Sequence, residues 1–188
     1  MSKLTGKARA KARKLQQKES KRKTKIYSEK FLDKILKFDN PILKEVCSEV
    51  SKDDDLSYVQ ELRRILCFTK KGVGLSASQI GVTKKLFILR LDPKVNNLSV
   101  VINPEIIDDN FVKMTAIEGC LSYPGFYCKV ERPWKIEVKY LNERFTEIKK
   151  ELIGYEARVF LHEYDHLLGE CIVGEEYMKQ KKPVFEEN

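Results

Sequence analysis

The sequence predicts an α+β domain, on three observations. Short apolar, β-branched runs crowd the middle of the chain. Two stretches carry a helical apolar period, and the one at the C-terminal end follows the strands. Strands grouped ahead of a final helix argue against alternating parallel β-α-β units. A chain of 188 residues, 42% of them hydrophobic, is long enough for one domain with a buried core.

The first helix is expected in "DDDLSYVQELRRILCFTKKG". Asp53 to Asp55 can cap and charge its start, Leu56, Val59, Leu62 and Leu66 form one stripe, and Gly72 follows its end. "KKLFILRL" (84–91) and "SVVINP" (99–104) read as strands. "WKIEVKYL" (134–141) alternates and pairs with "RFTEIKKEL" as an antiparallel hairpin across Asn142 and Glu143, although that turn lacks glycine. After Gly154 the period becomes helical up to Gly169. Ala157, Leu161, Tyr164 and Leu168 form an apolar stripe there, so this helix is expected to be buried on most sides.

The net charge of +8 is unevenly placed. Residues 1–25 hold 11 Lys/Arg against one acid, Glu19, so this tail is +10 and the rest of the chain about −2. With almost no large apolar residues, the tail is expected to be disordered or weakly helical, with one domain spanning 26–188. It reads as a solubilising extension or as an arm that binds RNA or the ribosome through phosphates. A cleaved organelle-targeting peptide is a third reading, weakened because Lys outnumbers Arg eight to three. No apolar run approaches the roughly 20 residues that span a bilayer, so no membrane partner and a cytoplasmic location are expected. The five cysteines follow no framework spacing, which fits a reducing compartment.

Both histidines stand in "RVFLHEYDHLLGEC", Arg158 to Cys171. Residues four apart share one helix face, so His162 and His166 can hold one metal ion. A carboxylate and two imidazoles on a buried helix are costly unless paired or metal-bound. Glu163 can face a water at the metal rather than ligate it, the position a general base needs. A catalytic tetrahedral site takes three protein ligands and keeps one position open. The chain has no third histidine, and Glu170, Glu175, Glu176, Glu186 and Glu187 are poorly placed behind His166. Attention therefore turns upstream, to a thiolate.

Cys120 sits in "IEGCLSYPGF", 117–126. Gly119 lets the backbone come close to a ligand, and Pro124-Gly125 reads as a turn ending the segment. The Cys120 thiolate would complete a Cys-His-His site, whereas the other four cysteines read as small buried hydrophobes. "GVGLSASQIG" (72–81) lacks the Lys-Ser/Thr pattern of a phosphate loop. It reads instead as backbone approaching a bound peptide, with Gln79 offering its amide.

"GVGLSASQ", "EGCLSYP" and "HEYDH", in this order and spacing, resemble the motifs of the peptide deformylases over about residues 34–178. That resemblance implies antiparallel β-sheets packed around a central helix bearing the two histidines. It implies hydrolysis of the N-terminal formyl group of formyl-Met nascent peptides, with release of formate. It implies one divalent metal ion, Fe2+ in the cell, replaceable by Zn2+, Ni2+ or Co2+. Carried over residue by residue, Cys120, His162 and His166 are the metal ligands and Glu163 the general acid/base. Gln79 and the Leu121 N–H are the oxyanion donors, and Gly74 lies beside the formyl group and methionine. Val73, Val159 and Tyr155 are candidates for the methionine pocket, and the following peptide is expected along Gly74 and Gly119–Leu121 by strand addition. Asp165 is expected to pair with Arg132, and Glu118 either neighbours the ligands or is a solvated turn acid.

Three features depart from the family pattern. Leu161 stands where Gln is usual, Ser76 where Ala is common, and only 19 residues follow Gly169. Two rival functions share these residues: a metalloendopeptidase built on the same His-Glu helix, and a non-catalytic member binding RNA or the ribosome through residues 1–25.

Overall fold

In the computed structural model the described residues are 13–14, 17–19, 30–69, 72–90, 98–109 and 112–172. Most of the basic tail, and the expectations attached to it, lies outside them. The named elements are α1 (Tyr58–Phe68), β1 (Gly74–Ser76), β2 (Leu86–Leu89), β3 (Ser99–Asp109), β4 (Lys113–Cys120), β5 (Tyr123–Pro133), β6 (Lys135–Leu141), β7 (Glu147–Ile153) and α2 (Tyr155–Leu167). Two 3₁₀ turns span Pro41–Lys44 and Ala77–Ile80.

Strands β1-β2-β3-β6-β7 form one antiparallel sheet, and β4-β5 form a separate hairpin. Helix α2 packs on β1, β2 and β7 of the first and on β5 of the second. The α+β expectation, with antiparallel sheets around the histidine helix, therefore holds.

Strand β2 shows why "LFIL" is apolar at every position. Leu86 and Ile88 join the core under α1, while Phe87 and Leu89 join the core under α2. Successive side chains of a strand point to opposite faces, so a strand covered on both faces needs no polar alternation. The Phe87 ring meets the edge of Phe160 from α2, with centroids 5.1 Å apart.

Helix α1 starts later than the three acids suggest. The Asp55 carboxylate accepts from the Ser57 N–H at 2.8 Å and its Oγ at 2.9 Å, a local turn that competes with capping. Val59, Leu62 and Leu66 are buried together with Ile65, whereas Leu56 is only partly so. Strand β3 runs past the expected Pro104 to Asp109. It bends where Asn103 takes a φ of 47°, and the Asn103 amide bridges the Val50 N–H and carbonyl at 2.8 and 2.9 Å. The β6–β7 turn manages without glycine. Asn142 Oδ1 accepts from the N–H groups of Arg144 and Thr146, and Phe145 adopts the left-handed conformation, φ 55°.

The β4–β5 hairpin was not expected from the sequence, because most of β4 is exposed and "KMTAIEGC" does not alternate. Pro124-Gly125 does not end the segment but lies inside β5. Pairing jumps from Gly119↔Tyr127 to Cys120↔Tyr123, so Pro124 to Phe126 bulge out, with Gly125 at φ 79°. The register shift falls between Gly119 and Cys120, so Cys120 pairs with Tyr123 beyond the bulge.

Helix α2 is bounded by Gly154 (φ 61°) and Gly169 (φ 75°), both in conformations that L side chains rarely adopt. Its buried face carries Ala157, Val159, Phe160, Leu161, Glu163, His166 and Leu167. The expected stripe is only partly right, since Leu168 is exposed and Phe160 and Leu167 take the core positions.

Candidate active site

Three elements converge at the middle of α2. Helix α2 supplies His162, Glu163 and His166, the bulged end of β4 supplies Cys120, and β1 with its 3₁₀ turn supplies Gly74, Ser76 and Gln79. One ligating atom each from Cys120, His162 and His166 lies within 4.8 Å of the others. His166 Nε2 is 3.3 Å from Cys120 Sγ. His166 is fully buried and its Nδ1 has no hydrogen-bond partner among the described residues. Burial pushes its pKa down to about 3, so the ring is neutral, as a ligand must be.

His162 is oriented from behind. Its Nδ1 meets Glu118 Oε2 at 3.0 Å, leaving Nε2 for the side of Cys120. Burial alone would lower the proton affinity of His162, but the Glu118 carboxylate outweighs it. Glu118 itself is buried in β4. Arg132 grips it bidentately at 2.7 and 3.0 Å, and Arg158 Nη1 adds a contact at 2.6 Å. Burial would raise the Glu118 pKa, but the His162 and Arg132 hydrogen bonds win and hold it at about 2. Arg132 also reaches Asp165 at 2.9 Å, the ion pair expected from the sequence. Glu118 is thus a buried neighbour of the site rather than a solvated acid. Arg158, which no sequence motif singles out, ties α2 to the hairpin through the Val130 and Met114 carbonyls.

Glu163 is held on the other side. Ser76 Oγ donates to its carboxylate at 3.1 Å and lies 2.9 Å from its backbone carbonyl. A Cβ added at Gly74 would run into the same carboxylate. Burial raises the Glu163 pKa to about 7, partly offset by His162 and by the Ser76 hydrogen bond. Gln79 closes a capping box with Ser76, its Oε1 accepting from the Ser76 N–H at 2.9 Å. Its Nε2 points to Ser122 Oγ at 3.0 Å and to Cys120 Sγ at 3.6 Å.

A cavity of about 330 Å³ opens over these groups. Val73, Gly74, Gln79, Gly119, Cys120, Leu121, Tyr155, Val159, His162 and Glu163, all site residues named from the sequence, line it. His166 is the one that does not, and it lies buried beside Cys120.

The model of the family described as polypeptide deformylase matches residues 32–183. The chain belongs to that family. A peptide deformylase of Thermotoga sp. (strain RQ2) is 39% identical over 137 residues, covering 72% of this chain and 82% of the relative. That of Natranaerobius thermophilus is 38% identical over 144 residues, 73% of this chain and 88% of the relative. Among solved structures, the Thermotoga maritima peptide deformylase superposes with a TM-score of 0.69 at 36% identity, covering 74% of this chain and 93% of that one. A Plasmodium falciparum peptide deformylase gives 0.70 at 34% identity, covering 78% and 89%.

As a peptide deformylase the chain is a metal-dependent hydrolase, and its side chains fit a metal. Ligands about 2.0–2.3 Å from a first-row divalent ion can surround it from the spacing seen here. One thiol and two imidazoles suit such an ion, and the Glu118 contact fixes which nitrogen of His162 is presented. The Cys171 thiol beside it and burial both raise the pKa of the Cys120 thiol, so the site without a cation keeps its proton. Binding a divalent cation would release that proton. Among the described residues no helix is long and apolar enough to cross a membrane.

Proposed function

We propose that this deformylase removes the formyl group from formyl-methionyl nascent peptides and releases formate, with Cys120, His162 and His166 holding the metal. The observation that carries the reading is a buried glutamate, Glu163, one residue from a ligating histidine and facing the cavity. Ferrous iron is the proposed ion in the cell, with Zn2+, Ni2+ or Co2+ as substitutes compatible with the same donors. When bound, the ion supplies Lewis-acid activation of the water and of the formyl oxygen.

The protein's own groups do the rest. Glu163, near pH 7, can take a proton from the attacking water and deliver it to the departing amine nitrogen. Ser76 holds one carboxylate oxygen so that the other is left for the cavity. Gln79 offers an N–H to the oxygen that gains charge, together with the Leu121 N–H. Because that amide already faces Ser122 and Cys120, the substrate oxygen must share it, which favours an oxygen carrying more charge than the ground-state formyl group. Val73, Val159 and Tyr155 form apolar walls suited to a methionine side chain. Gly74 and Gly119 lack the side chains that would fill the approach to the cavity.

The rival endopeptidase reading needs a third ligand behind His166. Among the described residues the group able to hold a metal instead contains Cys120. Glu163→Ala tests the role directly. Formate release from formyl-Met-Ala-Ser should fall about 10²–10⁴-fold while bound metal stays stoichiometric. Release at the wild-type rate would overturn the assignment.

The reading extends to the tail. Its charge of +10 over residues 1–25 supports binding to RNA or the ribosome, where formylated chains emerge, in the cytoplasm or in an organelle. Deleting residues 1–25 should weaken RNA binding at low salt and leave turnover of a short peptide unchanged. Equal RNA affinity with and without the tail would remove the proposal.

A further inference from the structure

Three of the five cysteines gather on one side of the site. Cys120, Cys128 and Ile172 form a small buried cluster, against which Cys171 packs. All five cysteines are thiols. Their settings differ. Cys128 Sγ points to the Ile172 carbonyl at 3.5 Å. Cys171, just past the turn that ends α2, is half-buried and packs against the cluster that holds Cys120. Cys120 lines the open cavity and can be reached from there.

We propose that Cys171 is a resolving thiol for Cys120, and that peroxide converts the metal-free site into a Cys120–Cys171 disulfide. The chemistry balances in two steps. Cys120 attacks hydrogen peroxide, giving a sulfenic acid and one water. The Cys171 thiol then attacks the sulfenic sulfur, forming the S–S bond and expelling a second water. Two thiols lose two electrons and two protons, and one peroxide becomes two waters. Cys171 enters only at the second step, so it decides the product rather than the rate of the first oxidation.

The consequence rests on the reading of Cys120 as a metal ligand. A thiol tied in a disulfide cannot ligate, so the site cannot reload until a reductant opens the bond. Without Cys171 the sulfenic acid lacks that neighbouring thiol and is expected to proceed to sulfinic and sulfonic acids, which thiols do not reverse. Cys171 therefore turns an irreversible loss of the site into a reversible one.

The test uses full-length protein stripped of metal with a chelator, then treated with hydrogen peroxide. Peptide mapping by mass spectrometry follows the sulfur, and zinc titration follows the site. Wild type should yield the Cys120–Cys171 linked peptide, lose zinc binding, and recover most of it with dithiothreitol. Cys171→Ser should lose zinc binding without recovery, with Cys120 carried to sulfinic or sulfonic acid. Cys128→Ser should behave as wild type. Irreversible oxidation of Cys120 in wild type and Cys171→Ser alike, or a disulfide that uses Cys128, would overturn the proposal. The zinc-loaded protein separates the two readings. Protection by zinc supports both, whereas crosslinking at the metal-free rate keeps the thiol pair and overturns Cys120 as a ligand.

Discussion

Ser76 Oγ lies 3.1 Å from the Glu163 carboxylate, with both residues buried. The Ser76 hydroxyl thus gives a hydrogen bond to the group proposed to move the proton. A donor to the charged form lowers a carboxyl pKa, and removing it raises that pKa. Ser76→Ala should therefore shift the acid limb of kcat/KM to higher pH while the alkaline limb stays in place. An unchanged profile, measured with formyl-Met-Ala-Ser across pH 5–9, would show that the hydroxyl does not bear on Glu163.

Gly74 touches the same carboxylate from the other side. A methyl group there would occupy the space of Glu163. The φ at Gly74 is not one that only glycine adopts, so the cost is steric contact rather than backbone strain. Gly74→Ala should cut kcat sharply, because a misplacement of about 1 Å can cost about 100-fold, while thermal stability changes little. Stability and kcat falling together would point to a packing role instead.

Glu118 should matter for metal and for acid stability. Neutralising the group behind a ligating histidine typically costs about 10–100-fold in metal affinity, so Glu118→Gln should bind zinc more weakly by that factor. Its folded pKa, about 2, lies below the ordinary 4.5. A depressed carboxyl pKa gives stability that is present above the unfolded value and lost as pH falls through the folded one. Urea unfolding of the metal-free protein should therefore weaken between about pH 4.5 and pH 2, and the Glu118→Gln curve should be flatter across that window. Parallel curves would show that another carboxylate carries the effect.

Phe160 is the side chain that joins α2 to the large sheet. It is buried against Phe87 and packs near Tyr140 and Tyr164. Phe160→Ala should cost about 3–5 kcal/mol of stability, read by chemical denaturation. A loss below about 1 kcal/mol would mean that the neighbouring rings close the gap.

What the sequence revealed and what it hid have physical causes. The histidine helix was legible because ligation imposes a spacing of four and burial imposes a helical period on the same residues. The Cys120 and Gln79 segments were legible through their glycines and the resemblance they carry. The β4–β5 hairpin was hidden because its solvent-facing strands carry little apolar alternation, and the turn at Pro124-Gly125 proved to be a bulge within β5. Of the buried ion network only the Arg132–Asp165 pair was expected outright, and the contacts of Glu118 with Arg132 and Arg158 were hidden for a different reason. Glu118, Arg132 and Arg158 come from β4, β5 and α2, and charged residues in sequence ordinarily read as solvated. The Cys120–Cys171 contact likewise joins a strand end to the residue after a helix, a proximity that no local pattern encodes.

The most direct measurement is formate release from formyl-Met-Ala-Ser by anaerobically prepared, iron-loaded protein, with acetyl-Met-Ala-Ser alongside. One formate and one free Met-Ala-Ser amine should appear per turnover, with the acetylated peptide left intact. Absence of formate from metal-loaded protein, or cleavage of either peptide at an internal bond, would contradict the account.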